Sequence, residues 1–548
     1  MTQQHHKRST IAKAIGLFAL LVSTALLAFH GSDVHRQVRA EREKHRVLRQ
    51  LQSLASLKIH FHVKRESMAV HGQRDFDVLA NPILSSGEGD DAQKRLTYEG
   101  VAAFQQNGVI HKYVLANSIF YYSKAQGDSA SENTTCVSPS ALPSIGDILK
   151  AINEARSVYF APDSPQKLHC PLGSLLEFHF AGDMFVLCST TESGGLSIMS
   201  SDLDIQVSFL SSPVSIPTPT LSADKLAQCE RAQGATTVNP STLSLLQGTA
   251  TSLRRRKRAD DESVVMAEAS CSCKGPKRPC IFFHGLGNKA EGPLQDTSSY
   301  FGSRLSAPCC TQIKYAQLDT VNAGWNDRAL QRKVCDLALS VGKNTGRTIE
   351  NTIIVAHSMG NLMLAGAIAN DVCKLGASST WVGLSGPMRG SMGSDYMQDA
   401  CSGQGNGLVG SVASLFGKCP ADTATKLLAY EGEKYVSSAL KAEYDAAQEV
   451  YTRQVGAAMC SNGNSGIFST SQLVYLTAGA VIPHKTSEHD GVVEFQSCAA
   501  DLSRDSFGST FDSKRYVTKL NHVDTAFRHG DALWDNAKKP VKWFECLL

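Results

Sequence analysis

The sequence has little of what marks a nucleic-acid-binding or metal-binding chain. Lys and Arg number 54 against 51 Asp and Glu, a net charge of only +3. The basic residues cluster locally, so no extended basic face is expected and nucleic acid is excluded as a partner. None of the 16 cysteines sits in a CxxC pair of zinc-finger type, and neither Cys271-Ser-Cys273 nor Cys309-Cys310 gives zinc spacing. His484 and His489 fit no strong ligand motif, so no metal and no cofactor is expected. The segment after Phe29 also lacks a small-x-small pair that a signal peptidase would cut.

What is present points to a multidomain secretory-pathway protein. A chain of 548 residues, 42% hydrophobic and 19% charged, is too long for one core. The cysteine count suggests an oxidising compartment. Lys7, Arg8 and Lys13 precede the charge-free run Ala14–Phe29, the layout of a signal peptide or signal anchor over residues 1–30. An uncleaved anchor with the bulk of the chain in the lumen or outside is the expectation. Arg36, Arg39, Arg42, Lys44, Arg46 and Arg49 argue for the opposite orientation by the positive-inside rule, but the cysteines outweigh them. Residues 31–57, free of proline, read as a basic helical stalk leaving the membrane.

Residues 58–219 have a different texture. Leu57–Val63 alternates at period two, as do parts of Val109–Tyr122, Leu175–Cys188 and Leu196–Leu210, which predicts antiparallel strands. Ser144–Ala155 is the clear amphipathic helix. This α+β domain resembles no family and is a candidate pro-domain. Asn133-Thr-Thr135 is an N-glycosylation acceptor. Residues 220–258 form a polar linker ending in Arg254-Arg-Arg-Lys-Arg258, followed by acid. That cluster is similar to a furin-type proprotein-convertase site with cleavage after Arg258; a solvated charge run is the competing explanation. Cys136, Cys170, Cys188 and Cys229 lie before the site and the other cysteines after it, an even number on each side.

The chemistry is expected in residues 259–548. Thr352–Ala356 is a short apolar run, His357-Ser358-Met359-Gly360 a tight turn, and Asn361–Asn370 a helix-favouring segment. Strand, sharp turn with a central serine, helix: this is a nucleophile elbow. The turn lifts the hydroxyl above the sheet, and the helix aims its amides at developing negative charge. The motif resembles the α/β-hydrolase superfamily and within it the lipases, with Ala356 where glycine is more usual. The resemblance covers about residues 278–548. It implies an α/β fold with a mostly parallel central sheet and helices on both faces, preceded by the smaller α+β domain and the membrane-entry helix.

The resemblance also implies the roles of particular residues. Ser358 is the nucleophile, and the Asp-Gly-x-Val run at Asp490 supplies the acid. His522, just past the strand Arg515–Leu520, is the base, with His529 as its rival. Glu488, Glu494, Asp395 and Asp399 are weaker candidates for the acid. The strand ending His284-Gly285 would place the backbone N–H of Leu286 in an oxyanion hole together with that of Met359, while His284 holds its loop. Gly386-Pro-Met-Arg-Gly-Ser391 is similar to a segment beyond the elbow in many lipases. The insertion at about 392–460, with helix over Ala424–Ala457, corresponds to the lipase lid, or else to a fixed helical cap. Gln472–Val481 is expected as a further buried strand.

The expected activity is that of a carboxylic ester hydrolase acting through an acyl-enzyme. The expected substrate is an ester with a lipid-like acyl chain. A lipid acyltransferase or an acyl-protein thioesterase would use the same residues. From a different class, a non-catalytic membrane-anchored binding protein would keep the fold without the chemistry. Further expected partners are the membrane, through the N-terminal segment, and a proprotein convertase.

Overall fold

The computed structural model describes residues 41–42, 44, 56–85, 95–126, 133–139, 142–143, 145–160, 170, 175–190, 195–232, 236–237, 263–264, 270–403, 415–417, 419–469 and 471–548. The membrane-entry segment, most of the stalk and Arg258 lie outside them. No described helix is long and apolar enough to cross a membrane.

The period-two segments build one large sheet. Its strands are β1 (Ser56–Val63), β2 (Asp75–Ser85), β3 (Arg95–Gln106), β4 (Val109–Ala116), β5 (Ile119–Gln126), β6 (Asn133–Val137), β7 (Arg156–Phe160), β8 (Leu175–Phe180), β9 (Asp183–Thr190), β10 (Gly195–Ser200), β11 (Leu203–Leu210), β12 (Thr236–Thr237) and β13 (Ser263–Val264). They run β13-β7-β8-β9-β10-β11-β1-β2-β3-β4-β5-β6, with β12 on β3. Every pairing except β13–β7 is antiparallel. The turns explain why. Asn107-Gly108 (φ 51° and 74°), Asn117-Ser118 (53° and 62°) and Ala181-Gly182 (52° and 83°) are two-residue loops with both residues left-handed. Their twist matches that of the flanking strands, and a two-residue loop joins only antiparallel neighbours. The helix α1 (Ile145–Asn153) buries Leu149 and Ile152 in this sheet's core.

The second sheet contains β14 (Arg278–Phe283), β15 (Gly292–Gln295), β16 (Cys310–Gln317), β18 (Ile353–His357), β20 (Thr380–Leu384), β21 (Val455–Ser461) and β22 (Arg515–Thr518); a separate pair joins β17 (Thr348–Ile349) and β19 (Lys374–Leu375). Its order is β15-β16-β14-β18-β20-β21-β22. It is mixed: β15 runs antiparallel on β16, and the other neighbours are parallel. Successive residues feed opposite faces. Ile281, Phe283, Ile354 and Ala356 enter one core, and Cys280, Phe282, Ile353 and Val355 another. Burial on both sides is what made these strands read as continuous apolar runs. The helices α2 (Arg328–Val341), α3 (Met359–Ala369) and α5 (Ser438–Gln454) pack on the first core, and α7 (Pro540–Leu547) on the second. Two further helices, α4 (Met392–Cys401) and α6 (Gln472–Val481), lie over the strand ends.

The expected fold class is corrected. The molecule is dominated by the 13-stranded, almost wholly antiparallel sheet, and its 7-stranded sheet is mixed. It is not a mostly parallel α/β-hydrolase sheet with a small domain in front. The strands β1, β4, β5 and β8–β11 were legible in the sequence, but β2, β3, β6 and β7 and the joining of all of them into a single sheet were not. Two local expectations also change. Gln472–Val481 is helix α6 rather than a strand, and the strand lies earlier, at β21, where the helix expected over Ala424–Ala457 stops at Gln454. Val455-Gly-Ala-Ala-Met-Cys-Ser461 has few β-branched residues. Its small side chains suit a strand buried between β20 and β22, and that packing overrides weak local preference.

The two sheets meet across a polar, buried seam. Asp202 takes ion pairs from Lys539 at 3.0 Å and Lys542 at 2.7 Å, and Lys539 also binds Asp183. Arg65 pairs with Glu545 at 2.7 Å, and Ser67 donates to Asp531 at 2.6 Å. Burial alone would raise the Asp202 carboxyl, but the two lysines hold it below its usual range. Trp534 reaches into the first sheet and packs on Phe61 and Phe180.

Eight disulfides join all 16 cysteines: 136–229, 170–188, 271–546, 273–309, 280–310, 335–373, 401–419 and 460–498. This fits a secreted or extracellular protein. No bridge spans residue 258, so only non-covalent contacts and the linker connect the two halves.

Candidate active site

The serine owes its position to a backbone that other residues avoid. The buried strand β18 ends at His357, and Ser358 follows with φ 55° and ψ −131° before α3 begins. Left-handed φ at a residue bearing a Cβ is strained, and such strain persists only where the surroundings impose it. The surroundings are tight. A Cβ on Gly285 would lie 2.5 Å from Ser358 Cβ, and one on Gly360 would lie 2.8 Å from the Phe283 carbonyl oxygen. Asn361 Nδ2 donates to the carbonyls of Ala356, Ser358 and Leu384 at 2.8, 3.2 and 3.2 Å, which locks the turn.

The structure brings Ser358, His522 and Asp490 together. Ser358 Oγ lies 2.9 Å from His522 Nε2, and His522 Nδ1 lies 2.6 Å from Asp490 Oδ2. Asp490 Oδ1 accepts the N–H groups of Val492 at 3.0 Å and Val493 at 2.7 Å. The carboxylate is therefore fully engaged. Burial would raise its pKa, but His522 and the two amides outweigh burial and keep it below the usual value. With Asp490 accepting at Nδ1, the imidazole keeps its proton there and offers a free Nε2 to the serine. Asp490 is 1% exposed, Ser358 6% and His522 9%, so the carboxylate is the most deeply buried member of the triad.

A second layer was not foreseen from sequence. The Gly285 N–H donates to Tyr300 Oη at 3.0 Å, and the Tyr300 hydroxyl donates to His357 Nδ1 at 2.6 Å. His357 Nε2 then donates to the carbonyl of His522 at 2.9 Å. The chain links the candidate oxyanion loop to the backbone of the base. Burial and the neighbouring His522 keep His357 neutral, its pKa well below the ordinary value. Tyr300 carried no signal beyond being an aromatic residue in a polar loop.

The other candidates are placed as follows. Leu286 follows Gly285 in the loop beside the serine, its side chain packing between two apolar clusters, and Met359 supplies the first N–H of α3. His284 donates from Nδ1 to the Gly285 carbonyl at 2.9 Å and accepts the Leu318 N–H at Nε2 at 3.1 Å, which is a loop-holding role. His529 binds Asp524 at 2.6 Å. Glu488 binds Arg504, Glu494 binds His484, Asp395 accepts the Tyr430 N–H, and Asp399 binds Lys434 and Tyr435. None of these four takes the place of Asp490 beside His522. Asn133 is exposed on the edge strand β6. Among the described residues no group of acidic, histidine or cysteine side chains could hold a metal ion.

No family model matches the sequence. No curated protein matches it either. Among solved structures the chain is similar to the crystal structure of LprF from Mycobacterium bovis, at 11% identity over 34% of this chain and 98% of that one. The TM-score of 0.20 is too low to carry any argument. No family is assigned by these comparisons.

Proposed function

We propose that this protein is a serine hydrolase that cleaves carboxylic esters through an acyl-enzyme. The observation that carries this reading is the unbroken bond path from Ser358 Oγ through His522 to Asp490, at 2.9 and 2.6 Å. Substrate binding puts the ester carbonyl carbon against Oγ. As Oγ attacks, His522 Nε2 takes its proton, and Asp490 stabilises the imidazolium without itself becoming protonated. The carbonyl oxygen, now an oxyanion, is held by the N–H groups of Leu286 and Met359. Each such donor contributes about 2.7–4 kcal/mol in comparable sites. His522 returns the proton to the departing alcohol. Water then attacks the acyl-enzyme by the reverse sequence, and no cofactor takes part.

The substrate's acyl part is lipid-like. Leu286 packs in a cluster with Met392, Met397, Phe416, Val492 and Phe495, an apolar bed beside the serine. The protein enters the secretory pathway through Ala14–Phe29, stays anchored there, and is activated by cleavage after Arg258.

The test is labelling with a fluorophosphonate, which reacts only with an activated serine. Intact protein and protein cut after Arg258 should both label, the cut form faster, and Ser358→Ala should not. Folded protein that resists the probe in both forms would overturn the proposal. Labelling that survives Ser358→Ala would move the nucleophile elsewhere.

A further inference from the structure

A cavity of about 1440 Å³ lies between the two sheets and apart from the triad, which does not line it. It is larger than the roughly 300–1,000 Å³ common for small-molecule sites. It is partly open to solvent, so a ligand can enter it. Its lining is sharply divided.

One side is apolar. Phe76, Tyr98, Phe104, Tyr113 and Phe120 from β2–β5 face it, and Trp534 closes it from the catalytic half. The polar groups on this side are already satisfied: His71 Nε2 is bonded to the Tyr113 hydroxyl at 2.7 Å. Burial, with His111 stacked at 3.8 Å, holds His71 down at about 4, so this wall carries no imidazolium charge at neutral pH.

The other end is polar and carries charges of both signs. Lys538 lines the cavity, is only 6% exposed, and has no carboxylate in ion-pair contact among the described residues. Lys519, close enough to act on its charge, and Arg528 line the same cavity. The buried hydroxyl of the lining residue Ser469, which can donate, has no hydrogen-bond partner. The nearby carboxylates have other hydrogen-bond partners, although Asp535 and Asp524 still favour the charged form of Lys538. Asp531 binds Ser67 and the Val541 N–H, Asp535 accepts the Ala537 N–H, and Asp524 binds His529. Asp147, Lys150 and Glu154 rim the cavity at the α1 side. Burial lowers the Lys538 pKa although Asp535 and Asp524 favour its charged form, and an anionic head in hydrogen-bond reach would offset that burial cost.

We propose that this cavity is a binding chamber for an anionic amphiphile, its apolar chain lying along β2–β5 and its carboxylate or phosphate head meeting Lys538. The chamber is separate from the triad, and it does not rest on the serine reading. It is built from both halves, so it exists only while they remain together. A lipid held there bridges the seam between them.

The test uses the full chain with native disulfides and Ser358→Ala, so that turnover plays no part. A pyrene-labelled dodecanoic acid should bind saturably and be displaced by dodecanoic acid or dodecyl phosphate; whichever competes better names the head group. Dodecyltrimethylammonium should compete at least about tenfold less well. Lys538→Met should weaken the anionic probe about tenfold and leave competition by dodecanol unchanged. A diazirine-bearing fatty acid, which requires no substitution in the cavity, should cross-link to peptides of residues 75–85 and 95–116. Absence of saturable binding would overturn the proposal, as would cross-links confined to residues 472–482 and the triad. Equal competition by the cationic amphiphile would also overturn it.

Discussion

The two sheets use their faces in opposite ways. In the antiparallel sheet one face packs and the other meets water, where His60 pairs with Asp77 at 2.8 Å and His62 with Asp75 at 2.7 Å. The inner face does not close on a solid core throughout; part of it walls a cavity. In the mixed sheet both faces of the central strands are buried under helices. That packing is stiff enough to hold Ser358 at φ 55°. A half-wetted sheet makes a container, and a sheet buried on both sides makes a fixed platform. Chemistry that depends on tenths of an ångström belongs on the second.

The comparison breaks most readily at the triad. Ser358→Ala should lower turnover of a p-nitrophenyl ester by about 10⁶-fold and Asp490→Asn by about 10⁴-fold, both while leaving thermal unfolding unchanged. If Asp490→Asn retained near-normal activity, the acid would have to be sought elsewhere. Next comes the seam. Asp202→Ala leaves Lys539 and Lys542 buried without their shared partner and should cost about 3–5 kcal/mol in denaturant unfolding. The folded fraction should still react with a fluorophosphonate at the normal rate. A parallel loss of reactivity would mean that the platform depends on the container.

Gly285→Ala tests the platform's tolerance. The new Cβ would sit 2.5 Å from Ser358 Cβ and 2.9 Å from Oγ. Turnover should fall about 10²–10³-fold, as when an oxyanion donor is lost, with little change in KM. A smaller effect follows from Tyr300→Phe, which leaves the Gly285 N–H without its acceptor and His357 without its donor. About 1–3 kcal/mol is expected, shared between stability and kcat. Activity equal to the parent would make the Tyr300–His357 chain purely structural.

The smallest effect concerns pH. Burial raises Asp395 from an ordinary 3.8 to about 6. Between those values the folded state holds a proton that the unfolded state has lost, so this residue lowers stability as pH rises through that window. Asp395→Asn, which keeps an acceptor for the Tyr430 N–H, should be about 1–3 kcal/mol more stable than the parent above pH 6 and equal to it near pH 4. A stability gain independent of pH would show that packing rather than charge is responsible.

Much of the candidate site could be read in the chain. The elbow at Ser358, the Asp490-Gly-Val run and the histidine after Arg515–Thr518 are each local patterns: a strand, a turn and a side chain of known chemistry. The second layer was hidden because Tyr300 and His357 are 57 residues apart and neither pattern predicts the other. Helix α6 was misread because Gln472–Val481 is mostly apolar, and periodicity cannot separate a buried strand from a helix in so short a run.

The sequence by itself determined the local events. Two-residue loops such as Asn107-Gly108 made the N-terminal strands antiparallel, and the order Ser358, Asp490, His522 placed three reactive groups at the ends of separate segments. Even numbers of cysteines on either side of residue 258 were matched by bridges that stay on their own side. Only the tertiary structure decided what lies between the segments. Asp202 meets Lys542 across 340 positions of sequence, and Lys538 faces aromatic rings more than 400 residues earlier in the chain. Local preference acts over a turn or a strand. A seam and a cavity depend on which distant faces come together, and that is fixed by the packing of the whole chain.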